Sequence, residues 1–199
     1  MDCVDSATVP DWSGRDAVLV PVKAFGQAKL RLAPALSPQA RRELARTMAT
    51  RVVRSAGGLP VAVVCDDKEV AAWARSLGAL VIWEPGRGLN GAVQEGVRHL
   101  AGKGVHSVIV AAGDLPLATD LTWVSEFDGI TLIPDRRRDG TNVICVPALS
   151  GFNFSYGPGS FARHLEEAAR VGHQVRVVHS SPLGWDVDLP EDLAGMVTT

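Results

Sequence analysis

VIVAAGDLPLATDL, Val108–Leu121, sets an apolar run against an acid, Asp114, and follows it with a proline, Pro116. Val108–Ala111 suits a strand covered on both faces, and Pro116 stops regular pairing soon after. A carboxylate at the end of a buried strand costs free energy unless it is paired. A divalent cation bridging phosphates would supply that pairing, which makes Asp114 the first candidate metal ligand. The alternative is an aspartate that only makes a tight turn with Pro116.

Outward from this stretch the same pattern repeats. Asp16–Val22, Pro60–Cys65, Ala79–Trp83, Ser107–Ala111 and Ile130–Pro134 are short runs rich in β-branched residues, expected as buried strands. Between them lie helical patterns. Ser37 and Pro38 offer an N-cap and an N1 proline to a helix running through Ala56, and Val70–Leu77, Asn90–Leu100 and the short Leu121–Phe127 follow. Strand and helix in alternation imply right-handed crossovers and a mostly parallel central sheet flanked by helices, a single Rossmann-like α/β domain over residues 16–199. The second half is less regular, with Val143–Val146, Phe161–Arg170, Val175–His179 and a final helix, Leu189–Val197. Residues 1–15 are expected to be a flexible extension.

Composition narrows the function. With 199 residues, one core suffices. Twenty basic and 22 acidic residues leave no whole-molecule field for nucleic acid, so any anion site must be local. Cys3, Cys65 and Cys145 are isolated and read as small core residues in a reducing compartment. Neither a signal-peptide pattern nor an apolar run of about 18 residues is present, so a cytoplasmic protein without a membrane partner is expected.

In open α/β sheets, ligands sit beyond the carboxyl ends of the strands. After the first strand, PVKAFGQAKLRLAP (Pro21–Pro34) carries Lys23, Lys29 and Arg31 around a glycine. Such a loop either wraps polyphosphate or is a solvated basic loop; it is not a P-loop, because G-x-x-x-x-G-K-[ST] is absent. In CDDKEV, Asp66 or Asp67 is expected to cap the next helix. EPGRGLNGAVQEG contains G-x-G-x-x-G at Gly86, Gly88 and Gly91, but after the third strand, and the first acid beyond Glu95 is Asp114, too far downstream and past the strand end, which argues against a dinucleotide site. Asn90 there could instead meet a sugar or base.

GWDVDLPEDL places Asp186 and Asp188 on one side of an extended segment. One is expected to bind metal and the other to cap, Asp188 with Glu191 at N3 resembling a capping box. In PDRRRDGTNVICV, at least two of Arg136, Arg137 and Arg138 are expected in a solvated turn, while Thr141 and Asn142 offer a hydroxyl and an amide. In FNFSYGPGSFARH, Gly157, Gly159 and Ser160 open a helix whose N-terminal N–H groups suit a small phosphorylated carboxylate, with plain N-capping by Ser160 as the alternative. His164, on that helix, is expected at its surface.

These stretches, with VPVKAFGQAKLRL, GLNGAV and AAGDLP, occur in the order seen in the phosphoenolpyruvate and 2-phospho-L-lactate guanylyltransferases of coenzyme F420 biosynthesis, which the chain resembles from about Ala17 to Met196. GDLP alone is shared with other nucleotidyltransferases, including molybdenum-cofactor types. The resemblance implies a GT-A-like nucleotidyltransferase domain that moves GMP from GTP to phosphoenolpyruvate with Mg²⁺, and a monomer or homodimer. It assigns Pro21, Lys23, Lys29 and Arg31 to the nucleotide, with Lys23 and Lys29 on its triphosphate, and Asn90 to the guanosine. Asp114, with Asp186 or Asp188, falls to the metal, and Thr141, Asn142, Gly157 and Ser160 to the acid. Lys23, Lys29 and Asp114 would be the catalytic set. Ala24 and Leu30 depart from the family loop, which usually carries a basic residue and a serine there. 2-Phospho-L-lactate or 3-phosphoglycerate as acceptor, another nucleotidyltransferase activity, and a non-catalytic nucleotide-binding module are the alternatives.

Overall fold

The computed structural model describes residues 11–196. Seven strands form one sheet: β1 (Ala17–Pro21), β2 (Val61–Cys65), β3 (Leu80–Trp83), β4 (Ser107–Ala111), β5 (Ile130–Pro134), β6 (Thr141–Pro147) and β7 (Val175–Val177). Their order is β3-β2-β1-β4-β6-β5-β7. β1 to β4 are mutually parallel where they pair, β5 and β7 pair in parallel, and β6 runs antiparallel to β4 and β5 on either side. The tight turn Asp135–Gly140 sets that reversal, returning the chain beside β5 instead of over the sheet.

The helices are α1 (Pro38–Arg54), α2 (Lys68–Ser76), α3 (Gly88–Gly102), α4 (Ser160–Val171) and the single turn α5 (Ser181–Gly184). The two predicted caps form: Ser37 accepts from the Ala40 N–H, and Asp67 accepts from the N–H groups of Glu69 and Val70. α1 and α2 carry the chain outward from β1 to the β3 edge, and α3 then brings it back past β1 to β4. Right-handed crossovers require α3 to take the opposite face after that reversal. The packing follows: Val18 and Val20 of β1 join a core with α1 and α2, whereas Ala17 and Leu19 join one with α3 and α4. A two-sided burial of this kind is why β1 reads as an unbroken apolar run. α3 lies so close to β1 that a Cβ on Gly96 would fall 2.7 Å from Leu19 Cδ2.

Two predicted helices come out as 3-10 turns, Thr122–Ser125 and Pro190–Met196. Against the second, the Trp185 indole occupies the space a Cβ on Gly195 would need. Of the expected N-terminal extension, residues 1–10 lie outside the described residues, but Trp12 is buried in the core under α3, so the folded body starts before Asp16. Cys65 and Cys145 are free and buried, as read from the sequence; Cys3 lies outside the described residues.

Candidate active site

β1 leads outward to β2, whereas β4, on its other side, is reached by the return crossover, so the strand order switches between β1 and β4 and leaves a crevice at their carboxyl ends. A cleft of about 510 Å³ opens there, in the range of small-molecule sites. Pro21 lines it from the end of β1, Lys23, Lys29 and Arg31 from the loop that follows, Asp114 from the loop after β4, and Thr141 and Asp188 from more distant segments. Lys23 is exposed and has no ion-pair partner among the described residues. Met48 of α1 and Tyr156 supply apolar wall.

Lys29 is the centre of the site. Its backbone is left-handed, at φ 57°, a conformation costing a non-glycine residue about 1–2 kcal/mol. The side chain so directed is nearly buried, and its ammonium binds Asp114 and lies 2.9 Å from Asp188 Oδ1. Burial alone would pull the ammonium pKa down, but the two carboxylates more than offset it, and the net shift is upward. Carboxylates 74 residues apart in sequence thus share one cation (188 − 114 = 74). Arg31 also approaches Asp188, at 3.9 Å, but it is largely exposed and such a pair contributes little.

Asp188 does not cap the last turn. Asp192 does that work in reverse, its fully buried Oδ2 accepting the N–H groups of Asp188 and Leu189, each at 2.8 Å. Its other oxygen takes Arg136, and Arg137 at 3.0 Å. Arg136 also donates to the Asp186 carbonyl at 3.0 Å and stacks on Trp185, 4.2 Å from the ring centroid. Of the arginine run, Arg137 and Arg138 are exposed as expected, but Arg136 is a structural clamp on the acidic segment.

Asp186 is the least satisfied of the three acids. Its buried Oδ1 has no hydrogen-bond partner among the described residues. Burial first, then the charges of Asp114 and Asp188, push its pKa up to about 6. A destabilised carboxylate oxygen with no hydrogen bond, only the Arg136 guanidinium 3.8 Å away, and with two further carboxylates close enough to raise its pKa, fits a divalent cation. No closed shell of three or more ligands exists among the described residues, but Mg²⁺ characteristically takes one or two carboxylates and completes its shell with phosphate and water.

The expected small-anion pocket differs from the sequence reading. The start of α4 is already satisfied: Gly159 N–H binds Asp139 Oδ1 at 3.1 Å, Ser160 N–H binds the Gly157 carbonyl and Phe161 N–H the Asp139 carbonyl, each at 3.0 Å. The cause is the β5–β6 turn, which packs its Asp139 against the helix end. Ser160 caps nothing; its buried Oγ accepts the Thr141 N–H at 3.1 Å. Asn142 is buried, donates to the Leu183 carbonyl at 3.0 Å and does not line the cleft. Gly157 and Ser160 do not line it either, so Thr141 alone of the four reaches the cleft wall. Asn90 spends its amide on the Tyr156 backbone, accepting its N–H at 2.6 Å, and so braces α3 to that loop. His164 is no surface residue: it is fully buried and bonded to Thr141.

Against known proteins, residues 16–198 match the family described as "Guanylyl transferase CofC like". A phosphoenolpyruvate guanylyltransferase of Rubrobacter xylanophilus is 40% identical over 88% of this chain and 90% of its own length. A 2-phospho-L-lactate guanylyltransferase of Methanocaldococcus jannaschii is 29% identical over 88% of this chain and 80% of its own length. A solved nucleotidyl transferase from Methanothermobacter shares the fold with a TM-score of 0.62 at 19% identity, over 92% of this chain and 95% of that one. No helix among the described residues is long and apolar enough to cross a membrane.

Proposed function

The chain belongs to the CofC-like guanylyl transferase family, and we propose that it transfers GMP from GTP to phosphoenolpyruvate, forming enolpyruvyl-2-diphospho-5′-guanosine and pyrophosphate. Guanylyl transfer in coenzyme F420 biosynthesis is the family's activity; the acceptor and the metal are the finer steps taken here. The supporting observation is the Lys29 ammonium held between Asp114 and Asp188 at the foot of a cleft lined by Lys23 and Arg31. Cations there meet a polyphosphate, and acids there meet its metal. The 40% identical relative named for phosphoenolpyruvate supports that acceptor.

A phosphate oxygen of phosphoenolpyruvate attacks the α-phosphorus of GTP, the bond from that phosphorus to the β-phosphate bridging oxygen breaks, and pyrophosphate carries off the electron pair. The phosphate dianion is already a competent nucleophile, so no side chain need remove a proton. Catalysis reduces to alignment and charge neutralisation. Lys23 and Lys29 hold the phosphates of GTP, and Thr141 on the far wall meets the acid. Asp114, with Asp186 or Asp188, would hold Mg²⁺, which when bound supplies neutralisation of charge on the phosphates.

A second acceptor, 2-phospho-L-lactate, is favoured by the name of the Methanocaldococcus relative. Pyrophosphate release from GTP, followed in parallel with phosphoenolpyruvate, 2-phospho-L-lactate and 3-phosphoglycerate, separates them. The highest kcat/KM is expected for phosphoenolpyruvate. A higher value for another acid reassigns the acceptor, and no release with any of the three removes guanylyl transfer to these acids.

A further inference from the structure

Behind the cleft wall, His164 lies wholly buried between Thr141 and the loop Phe152–Tyr156. Its Nε2 is 3.0 Å from the backbone N–H of Ser155, and its Nδ1 is 2.9 Å from Thr141 Oγ1. A backbone N–H can only donate, so Nε2 must be the accepting nitrogen. In a neutral imidazole the proton then sits on Nδ1, and the Thr141 hydroxyl oxygen must accept it. Burial, reinforced by the Arg163 charge, brings the ring pKa down to about 4, which keeps it neutral near pH 7.

The tautomer has a consequence for the cleft. Thr141 Oγ1 has no other hydrogen-bond partner among the described residues, and Thr141 lines the cleft. Its backbone N–H is pinned to Ser160 Oγ at 3.1 Å, so the residue cannot turn freely. With the oxygen accepting from behind, the hydroxyl proton is left for a ligand in front.

We propose that His164 is a positioning residue that makes Thr141 a fixed hydrogen-bond donor to an oxygen of the acidic acceptor substrate. This rests on the acceptor binding at the Thr141 wall. A hydroxyl free to rotate presents either a proton or a lone pair, whereas this one selects for an anionic oxygen. The single buried histidine of α4 thereby acts on one substrate and not the other.

The two amide replacements of histidine separate the roles of its nitrogens. Asparagine places an N–H donor where Nδ1 stood; glutamine reaches the Nε2 position and leaves Thr141 without its donor. H164Q is expected to raise KM for the acid at least tenfold with KM for GTP within twofold of wild type, and H164N to recover most of that loss. T141V should match H164Q, and the double variant T141V/H164Q should be no worse than T141V alone. Equal rises in both KM values, or additive losses in the double variant, would overturn the proposal. Nitrogen-15 NMR of the wild-type histidines, which needs no variant to fold, should show Nδ1 protonated and Nε2 bare for the buried ring, and the reverse tautomer would also overturn it. Wild type turning over a different acid would change the acceptor and leave these comparisons to be made with that acid; wild type turning over none would end the functional reading, while the NMR result still decides the tautomer.

Discussion

Buried and neutral, His164 should make the fold sensitive to acid by a calculable amount. In the unfolded chain its imidazole takes up a proton below pH 6.5, whereas the folded protein resists until about pH 4. Between those values the unfolded state binds more protons, so stability is greatest above pH 6.5 and falls as the pH drops. A displacement from 6.5 to about 4 corresponds to roughly 3 kcal/mol across the whole window, at 1.36 kcal/mol per unit. By pH 5 about 2 kcal/mol of that is already lost. Other groups titrate in the same range, Asp186 among them, its carboxyl pushed up to about 6 chiefly by burial. The comparison that isolates His164 is therefore wild type against H164N, which cannot ionise. Urea melts at pH 7 and pH 5 should show wild type losing about 2 kcal/mol more than the variant over that interval. Equal losses would mean that the ring titrates normally, and that the Ser155 and Thr141 bonds do not hold it in the neutral form.

Two further changes probe the supports of the site. Asp192→Ala strips a buried acceptor from Arg136, Arg137 and two backbone N–H groups, so a loss of about 3–5 kcal/mol is expected in chemical melts, and a loss below 1 kcal/mol would refute the clamp. Arg41→Met should act the other way: Arg41 is buried with Nε and Nη1 unpartnered among the described residues. Replacing an uncompensated charge with an apolar chain of similar reach should stabilise by about 1–3 kcal/mol, read as a higher melting temperature, and a lower one would show that the guanidinium has a partner in solution.

The scaffold was legible because its strands are buried on both faces. Ser107–Ala111 and Ile130–Pro134 coincide with the observed strands to the residue, and Ser37 and Asp67 cap the helices they precede. The meeting of the basic loop with Asp114 was legible from position alone, since Lys29 and Asp114 follow strands that flank the topological switch point. What escaped is what depends on side chains meeting across long sequence distances. The last acidic segment contains four carboxylates, Asp186, Asp188, Glu191 and Asp192, and nothing local says that Asp192 is the fully buried one. His164 has the same difficulty, because helical spacing puts it on a face whose neighbours, Thr141 and Ser155, come from other elements. The helix start at Ser160 looked open to an anion because the turn that fills it, with Asp139, lies 21 residues upstream (160 − 139 = 21).

The convergence of Asp114 and Asp188 on one cationic centre carries the proposed chemistry, and a single substitution tests it. Asp114→Asn keeps the shape of the side chain and removes its charge. With GTP, phosphoenolpyruvate and a Mg²⁺ titration, pyrophosphate release by the variant should fall at least a hundredfold, about 2.7 kcal/mol of transition-state stabilisation, with the melting temperature close to wild type. Turnover within a few fold of wild type at the same Mg²⁺ concentration would contradict the account, because the shared centre would then have no part in moving the guanylyl group.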